Sequence, residues 1–361
     1  MRLTLGVTFI VIIFMQLNCS SSVQQDLPID VKQQTQERID KGYHLGTVIG
    51  VINKNGAHYY GFGQMSLSDH SKPDQNSIFE IGSVTKTFTA TLLSDLNIKG
   101  DIIINAPIEK YIPIFKNVFG QSNQRITLEN LATHTSGLPR EPMNMNPNND
   151  HRYKEYSVED LNNFLLGYSV DSLKKTYNYS NLGVLLIEHA IESKMNTTYE
   201  SLIKGRITHI LNMNDTHFNV PENKRERLAA GFRNGKLTDE VDLGQFPSMG
   251  GLKTTAKDML IFLGAHLGLY PSSLSEAMQT THQEWFSDGE NVMGLGWHIL
   301  KREESGKTIY YHKGGTNGFV SFAGFNLESQ VGVVILCNGR RYFSDLGFKL
   351  LDPTYTLLKA E

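Results

Sequence analysis

Cysteine is almost missing from this chain. Its 361 residues hold two, Cys19 and Cys337. Cys19 lies in a segment of its own near the start, which leaves Cys337 no partner and excludes a disulfide framework. Cys337 ends an apolar run over residues 331–337 and reads as a small buried hydrophobe. Charge of one sign is also missing: 34 Lys and Arg face 37 Asp and Glu, for a net charge of −3. With no basic stripe and no nucleic-acid motif, nucleic acid is not an expected partner. No His, Cys, Asp and Glu cluster has metal-ligand spacing, and no glycine-rich loop accompanies a P-loop lysine. No metal, nucleotide or other cofactor is expected. Internal repeats and low-complexity tracts are absent too.

The first residues have a different character. Arg2 is the one early charge, and residues 3–17 are mostly apolar. That length suits the core of a signal peptide and is short for a membrane span. Cys19 and three serines follow at once. A signal peptide is expected over residues 1–19. It is either a lipoprotein signal that leaves Cys19 lipidated and membrane-attached, or an ordinary signal cleaved near Ser20 to Ser22. On either reading the mature protein is exported, to the periplasm or cell envelope. Residues 20–45 read as a polar tether and an N-terminal helix, and residues 46–361 as the main domain.

The length suits one large domain or two lobes that share a cleft. Residues 47–52 and 57–61 read as strands joined at Lys54-Asn55-Gly56. Residues 297–300, 308–311, 320–325 and 332–336 read as further strands, and 343–358 as a closing helix. From about residue 126 to 262 the pattern is helical, broken by long loops. One of these, residues 139–150, is rich in Asn, Pro and Met. Strands at both ends with helices between them imply an α/β (α+β) fold. In it, both chain ends build an antiparallel sheet lobe with flanking helices, and a mainly helical lobe is inserted.

The chemistry begins at Ser83-Val84-Thr85-Lys86, where an extended run turns through Gly82 into a helical pattern. Residues three apart share a helix face, so Ser83 and Lys86 can pair as nucleophile and base. The helix start adds N–H groups and partial positive charge where an oxyanion would form. The pattern alone is weak. Ser172–Lys175 and Ser201–Lys204 repeat it and read as solvated faces. Tyr179-Ser180-Asn181 is a second feature. A phenol near cations can shuttle protons, and an amide can both donate and accept. The plainer alternative is a helix cap, with Ser180 or Asn181 capping the run from Val184. A third feature is His312-Lys313-Gly314-Gly315. Glycines there let a substrate backbone approach the strand and offer N–H groups. The alternative is a glycine-rich hairpin.

In this order the three motifs resemble the penicillin-recognising serine hydrolases, and within them the branch of class C β-lactamases and D-alanyl-D-alanine carboxypeptidases (AmpH-like). Leu131-Ala132-Thr133-His134-Thr135-Ser136-Gly137-Leu138-Pro139, residues 250–259 and Gly294-Leu295-Gly296-Trp297 are similar to further segments of that branch. The resemblance runs from about Thr47 to the end. It implies a β-lactamase/transpeptidase-like fold and an acyl-enzyme on Ser83, with Lys86 and Tyr179 sharing the base role. Asn181 would position Lys86 and the substrate amide. The Ser83 and Gly315 N–H groups would form the oxyanion hole, beside Gly314. His312 would supply a donor, and a positive charge when protonated, near the substrate carboxylate. Arg340 could also bind that carboxylate, although a solvated strand end explains it as well. Class C β-lactamases usually carry Lys-Thr-Gly where this chain has His312-Lys313-Gly314, a departure shared with DD-peptidases and esterases. The expected substrate is a peptidoglycan D-Ala-D-Ala peptide or a β-lactam, with an esterase or D-aminopeptidase as the alternative.

Overall fold

The computed structural model describes residues 26–117, 125–146, 148–149, 152–169, 176–341 and 343–359. The expected signal segment, with Cys19, lies outside them, as do residues 171–175 with Ser172 and Lys175.

Twelve strands are present among the described residues. In chain order they are β1 His44–Asn53, β2 Gly56–Gly63, β3 Ile78–Glu80, β4 Gly231–Arg233, β5 Lys236–Thr238 and β6 Lys253–Thr255. The rest are β7 Phe286–Ser287, β8 Val292–Met293, β9 His298–Arg302, β10 Lys307–Gly315, β11 Val320–Asn326 and β12 Val331–Gly339. Eight of them form one sheet in the order β2-β1-β12-β11-β10-β9-β8-β7. β1 therefore pairs with the last strand, with Val48 opposite Leu336 and Gly50 opposite Val334. The sheet is built from both chain ends, as the sequence pattern implies.

Side chains alternate across a strand, and β12 uses both sets. Val333, Ile335 and Cys337 face a small core with Val31, Phe343, Leu346 and Phe348. That core is covered by the helices Ile29–Asp40 and Ser344–Leu351. Val334 and Leu336 face the larger core, with Leu260, Leu263 and Phe88. Both faces are covered, so the strand reads as a continuous apolar run rather than an alternating one. The two outer helices are tied together by a bidentate pair: Arg38 donates to both Asp345 oxygens at 2.9 and 2.6 Å, with both side chains buried.

The closing helix is shorter than the sequence pattern suggests. It ends at Leu351, and Asp352-Pro353 follows. Proline disfavours helical geometry in the residue before it. The Asp352 carboxylate instead accepts from Ser305 and Arg302, which ties the chain to the β9–β10 hairpin.

The helix Thr85–Ile98 runs through the middle of the molecule. Every residue from Thr85 to Leu96 is buried. A helix buried all round must satisfy its own polar groups. Thr87 and Thr91 do so by donating to the Val84 and Thr87 carbonyls at 2.8 and 2.9 Å. Phe88 stacks on Phe262 at 4.1 Å, which fixes the helix against Ala256–His266. The helices Asn181–Met195 and Tyr199–Ile203 also pack against it.

Candidate active site

Ser83 sits in the tight turn Gly82–Val84, between β3 and the central helix. β3 pairs with β6, which aims the turn at β10. Two glycines allow the contact. Gly82 has φ +48°, and a Cβ there would stand 2.6 Å from the Gly315 nitrogen. A Cβ on Gly314 would stand 1.9 Å from the Ile81 carbonyl oxygen. The Ser321 hydroxyl donates to that same carbonyl at 2.7 Å and clamps the turn to β11. The serine turn thus lies flush on β10, with Gly82, the residue before Ser83, against the Gly315 backbone.

Lys86 is buried one turn further on. Its Nζ donates to Ser83 Oγ at 3.1 Å and to the Met249 carbonyl at 2.5 Å. Loss of hydration on burial, and then the nearby Arg140 charge, pull its pKa down to about 7, against an opposing pull from Glu141. An amine with that pKa is a base at neutral pH. The Lys86 Nζ is also 5.3 Å from the centre of the Tyr179 ring.

Tyr179 precedes the helix Asn181–Met195. The plainer cap reading holds as well: Ser180 caps this helix by accepting from the Gly183 N–H at 2.9 Å. The cap and the site are one loop. Asn181 Nδ2 donates to Glu141 Oε1 at 3.4 Å, while Asn181 Oδ1 is buried with no partner. Asn181 therefore bonds to Glu141, and no hydrogen bond joins it to Lys86.

His312 lies on β10, with its ring 6.3 Å from the Tyr179 ring. β10 runs through the motif to Gly315 rather than turning there. His312 is buried, and Lys313 beside it is exposed, with its Nζ 5.9 Å over Tyr311. Strand alternation turns Lys313 away from His312. Burial, then His298 and Lys86, push the His312 pKa well below its usual range. The expected positive charge is therefore not held at neutral pH. His312 Nδ1 lies 2.8 Å from the Lys313 carbonyl, which can only accept. Nδ1 must carry the proton, so Nε2 is a bare acceptor, and it is buried without a partner. Arg340 is exposed just past β12, and its Nη1 donates to the Thr316 carbonyl at 2.7 Å. That carbonyl belongs to the residue that follows Gly315.

The structure adds residues that the three motifs do not name. His134 is buried at φ +60° and accepts the Ser180 N–H at Nδ1, 3.2 Å away. Its ring is 4.5 Å from that of Tyr179, and its carbonyl accepts the Asn178 N–H at 2.8 Å. The Arg140 carbonyl accepts from Asn181 and Leu182 at 2.8 and 3.1 Å, and its guanidinium lies 5.0 Å over the Tyr179 ring. Their signal was the Leu131-to-Pro139 segment, which contains His134 and runs directly into Arg140 and Glu141. Among the described residues, no group of three or more His, Cys, Asp or Glu could hold a metal ion.

A serine bonded to a buried, deprotonatable lysine at a helix start is the working core of a serine hydrolase. The family model described as Beta-lactamase matches residues 31–348, and the chain belongs to the beta-lactamase family. It is 24% identical over 373 residues to a β-lactamase of Psychrobacter immobilis, which covers 93% of this chain and 89% of that one. It is 27% identical over 312 residues to the D-alanyl-D-alanine-carboxypeptidase/endopeptidase AmpH of Escherichia coli (strain K12), at 81% and 78% coverage. Among solved structures, a class C β-lactamase superposes with a TM-score of 0.78 at 22% identity, over 89% of this chain and 93% of that chain. A β-lactamase/D-alanine carboxypeptidase from Pseudomonas syringae superposes with a TM-score of 0.78 at 21% identity, over 90% and 98%. These structures show the fold.

Proposed function

We propose that the chain hydrolyses D-alanyl-D-alanine peptides through an acyl-enzyme on Ser83. The observation that carries this reading is the 3.1 Å contact between Ser83 Oγ and the buried Lys86 Nζ. In the reaction, Ser83 Oγ bonds to the substrate carbonyl carbon and its proton passes to the Lys86–Tyr179 pair. The carbonyl electrons collect on oxygen, facing the Ser83 and Gly315 N–H groups. The C–N bond then breaks, and the departing amine takes up the proton. Water repeats the sequence to release the acyl group. Removing one oxyanion donor typically costs about 3–4 kcal/mol of barrier. The unpartnered Oδ1 of Asn181 suits a substrate amide N–H. His312 acts in this reading as a neutral acceptor at Nε2 rather than as a cation.

The peptide substrate is preferred over β-lactams because no lysine occupies position 312 and Lys313 points away. A second reading, β-lactamase, is favoured by the similarity to β-lactamases. The two differ in how fast water clears the acyl group. The test measures turnover of a D-Ala-D-Ala peptide, a chromogenic cephalosporin and a p-nitrophenyl ester, with fluorescent penicillin labelling of wild type and Ser83→Ala. The expected result is fastest peptide turnover, with labelling lost in Ser83→Ala but kept in Ser201→Ala. Labelling that survives Ser83→Ala sinks the reading. Rapid cephalosporin turnover with little on the peptide selects the β-lactamase.

We also propose export, with lipid attached at Cys19. Palmitate labelling lost in Cys19→Ala supports attachment, and an unlabelled mature chain starting at residue 20 or later refutes it. Among the described residues no helix is long and apolar enough to cross a membrane.

A further inference from the structure

The geometry points to Arg140 as the residue that binds the free C-terminal carboxylate of the substrate, and so as the specificity determinant for cleaving the last residue of a peptide. This inference rests on the peptidase reading above. It begins with the cations around the site. Lys86 is occupied by Ser83 and the Met249 carbonyl. His312 is neutral, Lys313 lies over Tyr311, and Arg340 is engaged with the Thr316 carbonyl. Among the described residues Lys313 is also without a hydrogen-bond or ion-pair partner, but strand alternation turns it away from His312 and the site, whereas Arg140 stands over the ring of Tyr179. The Arg140 side chain is exposed, and among the described residues its guanidinium has no hydrogen-bond or ion-pair partner. The neighbouring carboxylate, Glu141, is taken up by Tyr153, Asn181 and Arg152.

Its position is fixed from behind. The Arg140 carbonyl caps the two leading N–H groups of the Asn181–Met195 helix, and the Pro139 carbonyl accepts from the Ser180 hydroxyl at 2.7 Å. The stretch before the guanidinium is thereby bonded to the loop that carries Tyr179. The guanidinium then lies 5.0 Å from the centre of the Tyr179 ring.

The chemistry of the leaving group makes this position informative. If Tyr179 hands a proton to the departing amine, that nitrogen lies at hydrogen-bond distance from the phenol. In a C-terminal amino acid the carboxylate carbon is two bonds from the same nitrogen, about 2.5 Å away by standard backbone dimensions, and its oxygens one bond further. A guanidinium over the phenol ring is therefore within reach of that carboxylate. Its planar fork of donors matches a carboxylate bidentately. An internal peptide bond presents a neutral amide at the same place and gains nothing from the charge.

The test compares an N-acylated Lys-D-Ala-D-Ala peptide with a free C-terminus against the same peptide with a C-terminal amide. Wild type, Arg140→Gln, Arg140→Lys and Arg340→Gln are assayed for kcat and KM on each. Charge-assisted hydrogen bonds of this kind correspond to about a tenfold or larger change in affinity. The wild type should prefer the free acid. Arg140→Gln should lose at least about tenfold more kcat/KM on the acid than on the amide, chiefly through KM. Arg140→Lys should restore part of the preference. Equal losses on both peptides would mean that Arg140 only shapes the loop, and would overturn the inference. So would a preference that persists in Arg140→Gln, or one that collapses in Arg340→Gln instead. A wild type with no Ser83-dependent turnover of either peptide would remove the peptidase reading and this inference with it. A Ser83-dependent wild type with an unmoved acid-to-amide ratio in Arg140→Gln removes the inference alone.

Discussion

Replacing Lys86 with methionine should abolish turnover and flatten the rise of stability with pH. In the unfolded chain this lysine keeps its proton to about pH 10.5, whereas in the folded chain it gives the proton up near pH 7. Between those values the unfolded state binds the extra proton, so wild-type stability climbs with pH. The penalty for burying the lysine is complete below pH 7 and gone above pH 10.5. The whole interval is worth about 5 kcal/mol, and the stretch from pH 7 to pH 9 about 2 kcal/mol of it. Methionine keeps the volume and carries no proton. It also gives up the bond to the Met249 carbonyl; the part of that bond that depends on the charge of the lysine is already contained in its folded pKa, and the rest is constant with pH and cancels in the comparison. The assay is urea unfolding of both proteins at pH 7 and pH 9. The stability of the wild type relative to Lys86→Met should rise by about 2 kcal/mol across that range. A constant difference would mean that the lysine keeps its proton in the folded chain, and the case for Lys86 as a base at neutral pH would fall.

Gly314→Ala forces a Cβ to 1.9 Å from the Ile81 carbonyl. It should push the serine turn off β10, cost about 2 kcal/mol or more of stability, and cut kcat/KM at least a hundredfold. Wild-type kinetics would contradict the close approach. Arg38→Ala leaves the Asp345 carboxylate buried and unpaired. It should destabilise the fold by about 3–5 kcal/mol in chemical denaturation, and a change under 1 kcal/mol would refute that. His312→Gln should lower the rate without moving the acid limb of the kcat/KM–pH profile, because the histidine is already neutral there. A limb that moves by a pH unit or more would show that His312 carries charge in catalysis.

The sheet could be read in advance because its strands are apolar runs at both ends of the chain, buried throughout at Val333 to Cys337 because both faces are covered. Ser83 and Lys86 were legible because a helix fixes what lies three residues apart. The end of the last helix could also have been read, since Asp352-Pro353 is a stop signal. Arg140, Glu141 and His134 are a different case. They reach Tyr179 across about forty residues of chain, through backbone bonds from the loop of one helix to the start of another, and no local pattern specifies such a meeting. The charge state of His312 was hidden for a similar reason. A histidine on paper titrates near neutrality, and burial among His298, Lys86 and His134 removes it from that range.

The pairing of the first long strand with the last governs how the molecule comes into being. Thr47 and Cys337 touch across 290 positions, so β1 has no neighbour on that side until nearly all of the chain has been synthesised. Such long-range pairing slows folding and lengthens the time that an apolar strand edge is open to other chains. Gly315 reaches the serine turn only within the same final stretch. A nascent chain halted before residue 315 can thus carry Ser83 and Lys86 on a formed helix and still lack the wall against which they work. Competence therefore arrives late and all at once.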